Sequence, residues 1–489
     1  MIQDVLLHPG GDLRADICIC GAGPAGIVLA LELAQRRPDW HIVLLEAGSR
    51  GVESERSRAL YQVEMGEKSY AVEASRRRMF GGTSVHWGGW CKPLDATDFT
   101  APADWSTPDW PFGPEELAPY MPAAHTWCEI DNDQYDLAPV RAAQPHRFLD
   151  LPADGAIAES MFRFSPPTRF GPRYAAQIEA QENLSCLLNA NTRSFERRGD
   201  RIVSVSVAVL GGQPFTVHAE RFVLAQGGLE NTRTLLNLRG EAPDDGIGLG
   251  SPHLGRYFAD HYGIRPGLVL APAELGYLRI SHEGNAVMPV LNPTDTVLAS
   301  GQSRNVCLML DPVPEPDSLP NGYAGQTALG FVPGEYWNYR VQMIVEPRPH
   351  PDSRITLSNE RCELGLRRAR LDWHLDPADT DAALAFFETF GNTLAANGHG
   401  RVRLTYQNTA EQRAQANGAN HHIGTARFSR DPRDGVTDPD GRVHDLDNLY
   451  VTGSALFPRY GFANPTLTIV ALAVRLAQRW ADTPQEAAA

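Results

Sequence analysis

Lysine is almost missing from this chain. Of 44 basic residues only Lys68 and Lys92 are lysines, so arginine carries nearly all the positive charge and little room is left for lysine catalysis. Cysteine is sparse as well. Cys18, Cys20, Cys91, Cys128, Cys186, Cys307 and Cys362 are odd in number, scattered and free of any Cys-x-x-Cys pair, which reads as reduced thiols in a cytoplasmic protein. Cys18 and Cys20 alternate on a predicted strand and read as small buried hydrophobes. The first apolar run begins near Ala15 and is far too short to span a bilayer. It runs directly into a glycine cluster, so it is read as structure and not as a signal peptide. No twin-arginine signal, internal repeat, G-x-S-x-G, H-E-x-x-H or Walker loop is present. Hydrolase, zinc-protease and NTPase readings therefore have no residues to stand on, and no metal is expected. A net charge of −15 disfavours nucleic acid and anionic membrane as partners.

What remains is an ordinary globular composition, 42% hydrophobic and 21% charged, over 489 residues. That length suggests two domains, or one nucleotide domain with an inserted partner. The start of the chain reads as a βαβ unit: a strand over Asp16–Cys20, a helix over Pro24–Arg36 and a buried strand over His41–Leu45. The stretch from Leu94 to about Gln181, rich in Pro, Trp, Asp and Tyr, reads as excursion loops and short helices. Strands are expected at Leu184–Leu188, Arg201–Leu210, Phe215–Ala219, Phe222–Ala225, Arg354–Leu357 and Ala369–Trp373. Helices are expected over Thr380–Ala396 and Pro465–Trp480.

Gly21-Ala22-Gly23-Pro24-Ala25-Gly26 follows the first strand and opens the first helix. Gly21 permits the tight turn, Gly23 lets the backbone approach a pyrophosphate, and Gly26 allows close helix–strand packing. The diphosphate is expected on the helix N-terminus. Glu46 ends the next strand, 20 positions after Gly26, where an acid holds ribose hydroxyls and argues against a 2′-phosphate. Three more glycine-bearing segments suit a long cofactor extended through the fold. They are Phe80–Gly89 (with Gly81, Gly82, Ser84, His86, Trp87 and Gly88), Phe222–Gly228 (with Ala225 and Gly227), and Asn448–Ser454 (with Gly453). Arg76, Arg77 and Arg78 precede the first of these, so that an arginine can pair with phosphate.

Together with Glu46-Ala47-Gly48, Ser353–Leu357, His421–Thr425 and Asn464-Pro465-Thr466, these segments resemble the glucose-methanol-choline (GMC) flavin oxidoreductases over nearly the whole chain. The compact bacterial branch with pyranose-oxidase-like and sugar or polyol dehydrogenases is the nearest in look. The resemblance implies an α/β fold (α+β overall) of GMC and p-hydroxybenzoate-hydroxylase-like architecture. A discontinuous Rossmann-like FAD-binding domain is expected over 1–95, 184–260 and 411–489, and a β-sheet substrate domain with excursion loops over 96–183 and 261–410. FAD is the implied cofactor, with Gly21, Gly23, Gly26, Glu46, Ala47, Arg78, Gly81, Gly82, Ser84, His86, Trp87, Gly88, Ala225, Gly227, Gly453, Ser454, Pro465 and Thr466 around it. Ser84–Trp87 resembles the loop through which some members attach flavin covalently by histidine, here His86, while many relatives hold it without a bond. Gly88 departs from the pyranose oxidases, which carry a threonine there.

The same resemblance implies that His421 acts at the substrate hydroxyl, with Asn464 as its partner. A neutral imidazole near pH 7 takes the hydroxyl proton, an amide orients the oxygen, and the flavin takes the hydride. The competing readings are a structural histidine at 421 and a helix N-cap at Asn464, before Pro465. His422 is expected on the opposite side of an extended segment. Asp260-His261 reads as structural and His374 as packed or solvent-facing. Trp87, Trp90, Trp105 and Trp110 are candidates to line a sugar pocket. The expected partner is a small polar alcohol (a sugar, polyol, amino sugar or aminoglycoside), with oxygen, quinone or another acceptor taking the electrons. The alternatives are a flavin monooxygenase or halogenase using NAD(P)H or a reductase, and a non-catalytic FAD-binding module. Oligomeric state is not legible.

Overall fold

Alternation along the strand Leu13–Cys20 sorts its side chains onto two faces of a sheet. Ile17 and Ile19 join an apolar cluster with Ile27, Leu31 and Val470, while Cys18 and Cys20 join another with Val43, Phe222 and Leu449. Both faces are covered, which is why this strand reads as a continuous apolar run. The computed structural model describes residues 1–7, 11–66, 72–102, 105, 108–239, 250–282, 284–313 and 336–482.

Leu13–Cys20 lies parallel between Ile42–Leu45 and Phe215–Leu224. Leu184–Leu188 and Ile2–Asp4 continue the parallel sheet beyond Ile42–Leu45. On the other side Arg201–Ala208 and Asn191–Arg198 add an antiparallel edge. Leu449–Val451 also runs parallel to Phe215–Leu224. Register aligns the strand ends: Leu224 is opposite both Cys20 and Val451, and Cys20 is opposite Leu45. Four strands thus end side by side, and the turns after them gather at one sheet edge, where open α/β sheets bind ligands. The helices Pro24–Arg36 and Thr466–Asp482 pack together on one face.

A second sheet of ten strands is antiparallel along Arg401–Leu404, Gly267–Ala271, Trp337–Val345, Val306–Pro312, Asn285–Pro293, Ile157–Phe164 and Trp90–Cys91. The helix Pro377–Ala396 covers one face, with Phe387 and Phe390 against Val287, Leu308 and Val341. The other face carries Phe162, Met288 and Met309 against Phe462 and Trp90, close in sequence to Asn464. Burying one such side chain contributes about 1.5–3 kcal/mol, so this packing ties the second sheet to the segment holding Asn464. Arg354–Arg361, Arg367–Asp372 and Val63–Met65 form a small third sheet.

The helix Pro24–Arg36 and the strand Leu184–Leu188 fall where the sequence predicts them. Other bounds differ for local reasons. The helix expected from Thr380 begins at Pro377, because Pro377 fits the first turn and the Asp376 carboxylate accepts the Ala378 N–H at 2.9 Å. The two strands expected at 215–219 and 222–225 are one, since both halves pair with Leu13–Cys20. Ile157–Phe164 and the helix Phe170–Glu179 fall in the stretch read as loops and short helices. Two elements cross the expected domain bounds: Trp90–Cys91 pairs into the second sheet, and Phe170–Glu179 packs on the first helix. Among the described residues no helix is long and apolar enough to cross a membrane.

Candidate active site

The four gathered turns wall a cavity of about 470 Å³. Gly21 has φ +112° and Gly26 sits against it, so that a side chain at Gly26 would overlap the Gly21 carbonyl oxygen. A Cβ on Gly23, by contrast, would meet no protein atom within 4 Å, and the same holds at Gly227 and Gly453. All three glycines line the cavity, so the space their missing side chains leave is open to a ligand. The Glu46 carboxylate accepts the Ala22 N–H at 3.0 Å and the Gly48 N–H at 2.8 Å. Burial pushes its pKa up to about 7, against those hydrogen bonds and the Arg78 charge. Each oxygen keeps acceptor capacity for a hydroxyl.

Across the cavity stand His421 and Asn464. An antiparallel bridge, Ala259 to Ile423, lays 259–261 beside 419–423. Asp260, fully buried, accepts the Asn420 N–H at 3.0 Å and the His421 N–H at 2.8 Å, fixing the backbone that carries the imidazole. The His421 Nε2 is 3.2 Å from the Asn464 amide nitrogen, and its Nδ1 is 2.8 Å from the Nδ1 of His261. Burial, reinforced by His261 and His422, holds the His421 pKa well below the ordinary histidine value. The ring is therefore neutral at pH 7 and able to accept a proton. Behind Asn464, Glu346 accepts the Tyr460 and Gly461 N–H groups at 3.0 and 3.1 Å and pairs with Arg459 at 2.9 Å. This buried charge is matched on every side, as burial requires.

Residues 349–473 match the family model described as GMC oxidoreductase. Over those residues this chain carries a GMC oxidoreductase domain. A 6'''-hydroxyparomomycin C oxidase of Streptomyces lividus is 28% identical over 54% of this chain and 45% of its own length. A paromamine 6'-oxidase of Streptomyces fradiae is 27% identical over 62% of this chain and 54% of its own. The chain thus spans about half the length of these two relatives. The solved structure of pyridoxine 4-oxidase from Mesorbium loti superposes with a TM-score of 0.63 at 21% identity, over 96% of this chain and 100% of that one, which shows a shared fold.

Most residues expected around the cofactor line this cavity: Gly21, Gly23, Glu46, Ala47, Arg78, Gly82, Ser84, His86, Trp87, Gly88, Ala225, Gly227, Gly453, Ser454, Pro465 and Thr466, with His421 and Asn464. Gly26 and Gly81 stand behind the wall; they let the turn approach Gly21 and Gly171. Arg78 lies on the Glu46 side, donating to the Asn191 side-chain oxygen, while Arg76 pairs with Glu230 at 2.9 Å. His86 is exposed on the cavity wall, and its imidazole is held below the usual value by desolvation and by Arg77.

The helix after Asn464 starts at Thr466, and the Pro465 carbonyl accepts the Ile469 N–H at 2.9 Å. Pro465 thus holds the cap position, which leaves the Asn464 amide to His421. The His422 ring tilts over Phe258 and reaches the cavity, its Nε2 buried without a partner among the described residues. Trp87 and Trp90 line the cavity, but Trp105 and Trp110 do not. Trp110 packs among Phe99, Phe112, Phe428 and Phe457, and Trp105 lies under Arg459. The His374 ring is tilted against that of His350, centroids 5.5 Å apart. Tyr61, Ser75, Thr192, Gln226 and Asn420 also line the cavity. Gln226 lies in the Phe222–Gly228 segment marked in the sequence, but the other four carry no motif, and only the tertiary fold brings them there.

The walls fit FAD. An open-sided glycine closes each of three turns, the helix at Pro24 has no side-chain cap at its N-terminus, and a buried carboxylate stands at the end of the neighbouring strand.

Proposed function

We propose that this chain binds FAD and oxidises a primary or secondary alcohol of a polar, sugar-like molecule to an aldehyde or ketone. The observation that supports it is the neutral His421 Nε2 beside the Asn464 amide, on the wall of the same cavity as the glycine turns. Bound FAD supplies the acceptor for the hydride that leaves the carbinol carbon. His421 Nε2 takes the hydroxyl proton. Asn464 donates a hydrogen bond to the same oxygen and holds it in line with the imidazole, so that orientation lowers the barrier. Trp87 and Trp90 offer flat apolar surfaces to a ring-shaped substrate. Amino sugars and aminoglycosides belong to the substrate class in this reading, in keeping with the two relatives' names and a net charge of −15. Oxygen or another small acceptor then reoxidises the protein. The FAD-binding segments 1–95, 184–260 and 411–489 work with a substrate domain over 96–183 and 261–410. Seven buried free thiols suit a reducing, cytoplasmic setting.

Anaerobic mixing of the yellow protein with sugars, polyols, amino sugars and simple alcohols tests the reading. Loss of flavin absorbance with at least one polar alcohol is the expected result. Flavin that stays oxidised with all of them, but bleaches with NADH, overturns it.

A further inference from the structure

His261 does not line the cavity, yet it touches the residue on which the proposed chemistry turns. Its side chain is fully buried, edge-on to Tyr460. One ring nitrogen, Nε2, lies 2.7 Å from the Gly461 carbonyl oxygen; the other, Nδ1, lies 2.8 Å from His421 Nδ1. A carbonyl oxygen only accepts, so His261 Nε2 carries the proton that makes this bond. A neutral ring then has a bare Nδ1. For two Nδ1 atoms to meet at 2.8 Å, His421 must supply the hydrogen. His421 is therefore Nδ1–H, with its lone pair on Nε2. That lone pair is directed at Asn464, whose amide must present N–H and not oxygen. Glu346 fixes the Gly461 backbone at the far end of this chain.

We propose that His261 is a positioning residue that locks His421 in the Nδ1–H tautomer, keeping the proton-accepting Nε2 beside Asn464 at the cavity wall. The proposal rests on the alcohol-oxidation reading. Were His261 only a packing residue, an aromatic ring of similar shape would replace it without chemical effect.

Nitrogen-15 NMR of FAD-loaded protein labelled at histidine tests the tautomer directly. Unprotonated Nε2 at His421 is expected in the natural protein. His261→Phe removes both nitrogens and should leave His421 as a tautomer mixture. His261→Asn keeps an acceptor near the place of Nδ1 and should restore the Nδ1–H form. With an alcohol that reduces the flavin, His261→Phe should lower the reduction rate at saturation about 10²-fold. The half-saturating concentration should stay within about threefold, and His261→Asn should recover most of the rate. A natural protein with Nε2–H at His421, or a His261→Phe protein with natural tautomer and rate, overturns the proposal. Should His261→Phe fail to fold, the natural spectrum and His261→Asn still decide. If no alcohol reduces the flavin, the functional reading falls while the spectrum still reports on the tautomer.

Discussion

His421 has its two ring nitrogens divided between different neighbours, and the consequences are measurable at single residues. Its pKa is lowered by burial, with His261 and His422 adding to the effect. The neutral, proton-accepting form therefore persists below about pH 6.5 in the free protein. The acid limb of flavin reduction per substrate concentration is expected below that value; an acid limb at about pH 7 or above would contradict the assignment. Replacing Asn464 by alanine removes an orienting donor but not the base. Flavin reduction should slow about 10- to 100-fold, with FAD content unchanged; a rate equal to that of the natural protein counts against Asn464. Cofactor attachment is tested at His86. Acid precipitation is expected to leave the yellow colour in the supernatant, whereas a yellow pellet would mean a bond through His86. The sequence makes His421 and Asn464 legible because each is marked by its neighbours, Gly424-Thr425 and Pro465. His261 is visible in the sequence but reads as structural, since only the bridge between Ala259 and Ile423 sets it beside His421.

Among the elements, the strand–turn–helix at Leu13–Arg36 separates glycines that serve the fold from glycines that serve the ligand. Gly26 has no space for a methyl group beside Gly21. Gly23 has open space on its side-chain face and an ordinary φ of −82°. Gly26→Ala should thus lower the melting temperature of the FAD-free protein. Gly23→Val should leave that temperature nearly unchanged while sharply reducing bound flavin, read as the ratio of flavin to protein absorbance. Equal flavin loading in Gly23→Val would contradict the pyrophosphate assignment. This unit is legible because its signals are local: a buried apolar run, glycines at fixed spacing, a helical period. Ile157–Phe164 is not. Its partners, Asn285–Pro293 and Trp90–Cys91, are distant in sequence, and its alternation is broken by Glu159 and Arg163.

Across the whole molecule, buried titratable groups link the site to stability. His422 is pushed down to about 3 by burial and by Arg76. At pH 7 it is neutral whether the chain is folded or not, so it adds no pH dependence there. Below about 6.5 the unfolded histidine binds a proton that the folded one refuses, and stability falls by about 1.4 kcal/mol per pH unit until the folded value is reached. Glu46 and Asp98, each raised to about 7, act in the opposite direction, so a variant comparison isolates the effect. Urea unfolding of His422→Phe against the natural protein should show the variant gaining about 2 kcal/mol in relative stability between pH 7 and pH 5. No change would mean that His422 is solvated when folded. The parallel start of the first sheet is legible from its local βαβ signals. The packing of Phe462 and Trp90 on the second sheet, which sets the far wall near Asn464, depends on contacts that no sequence period records.

The most direct measurement is single-turnover flavin reduction in His421→Ala, without oxygen, using an alcohol that bleaches the natural protein. The expected result is full FAD loading with reduction slowed about 10²- to 10⁴-fold. Reduction at the natural rate would take His421 out of the reaction and with it the alcohol site it shares with Asn464.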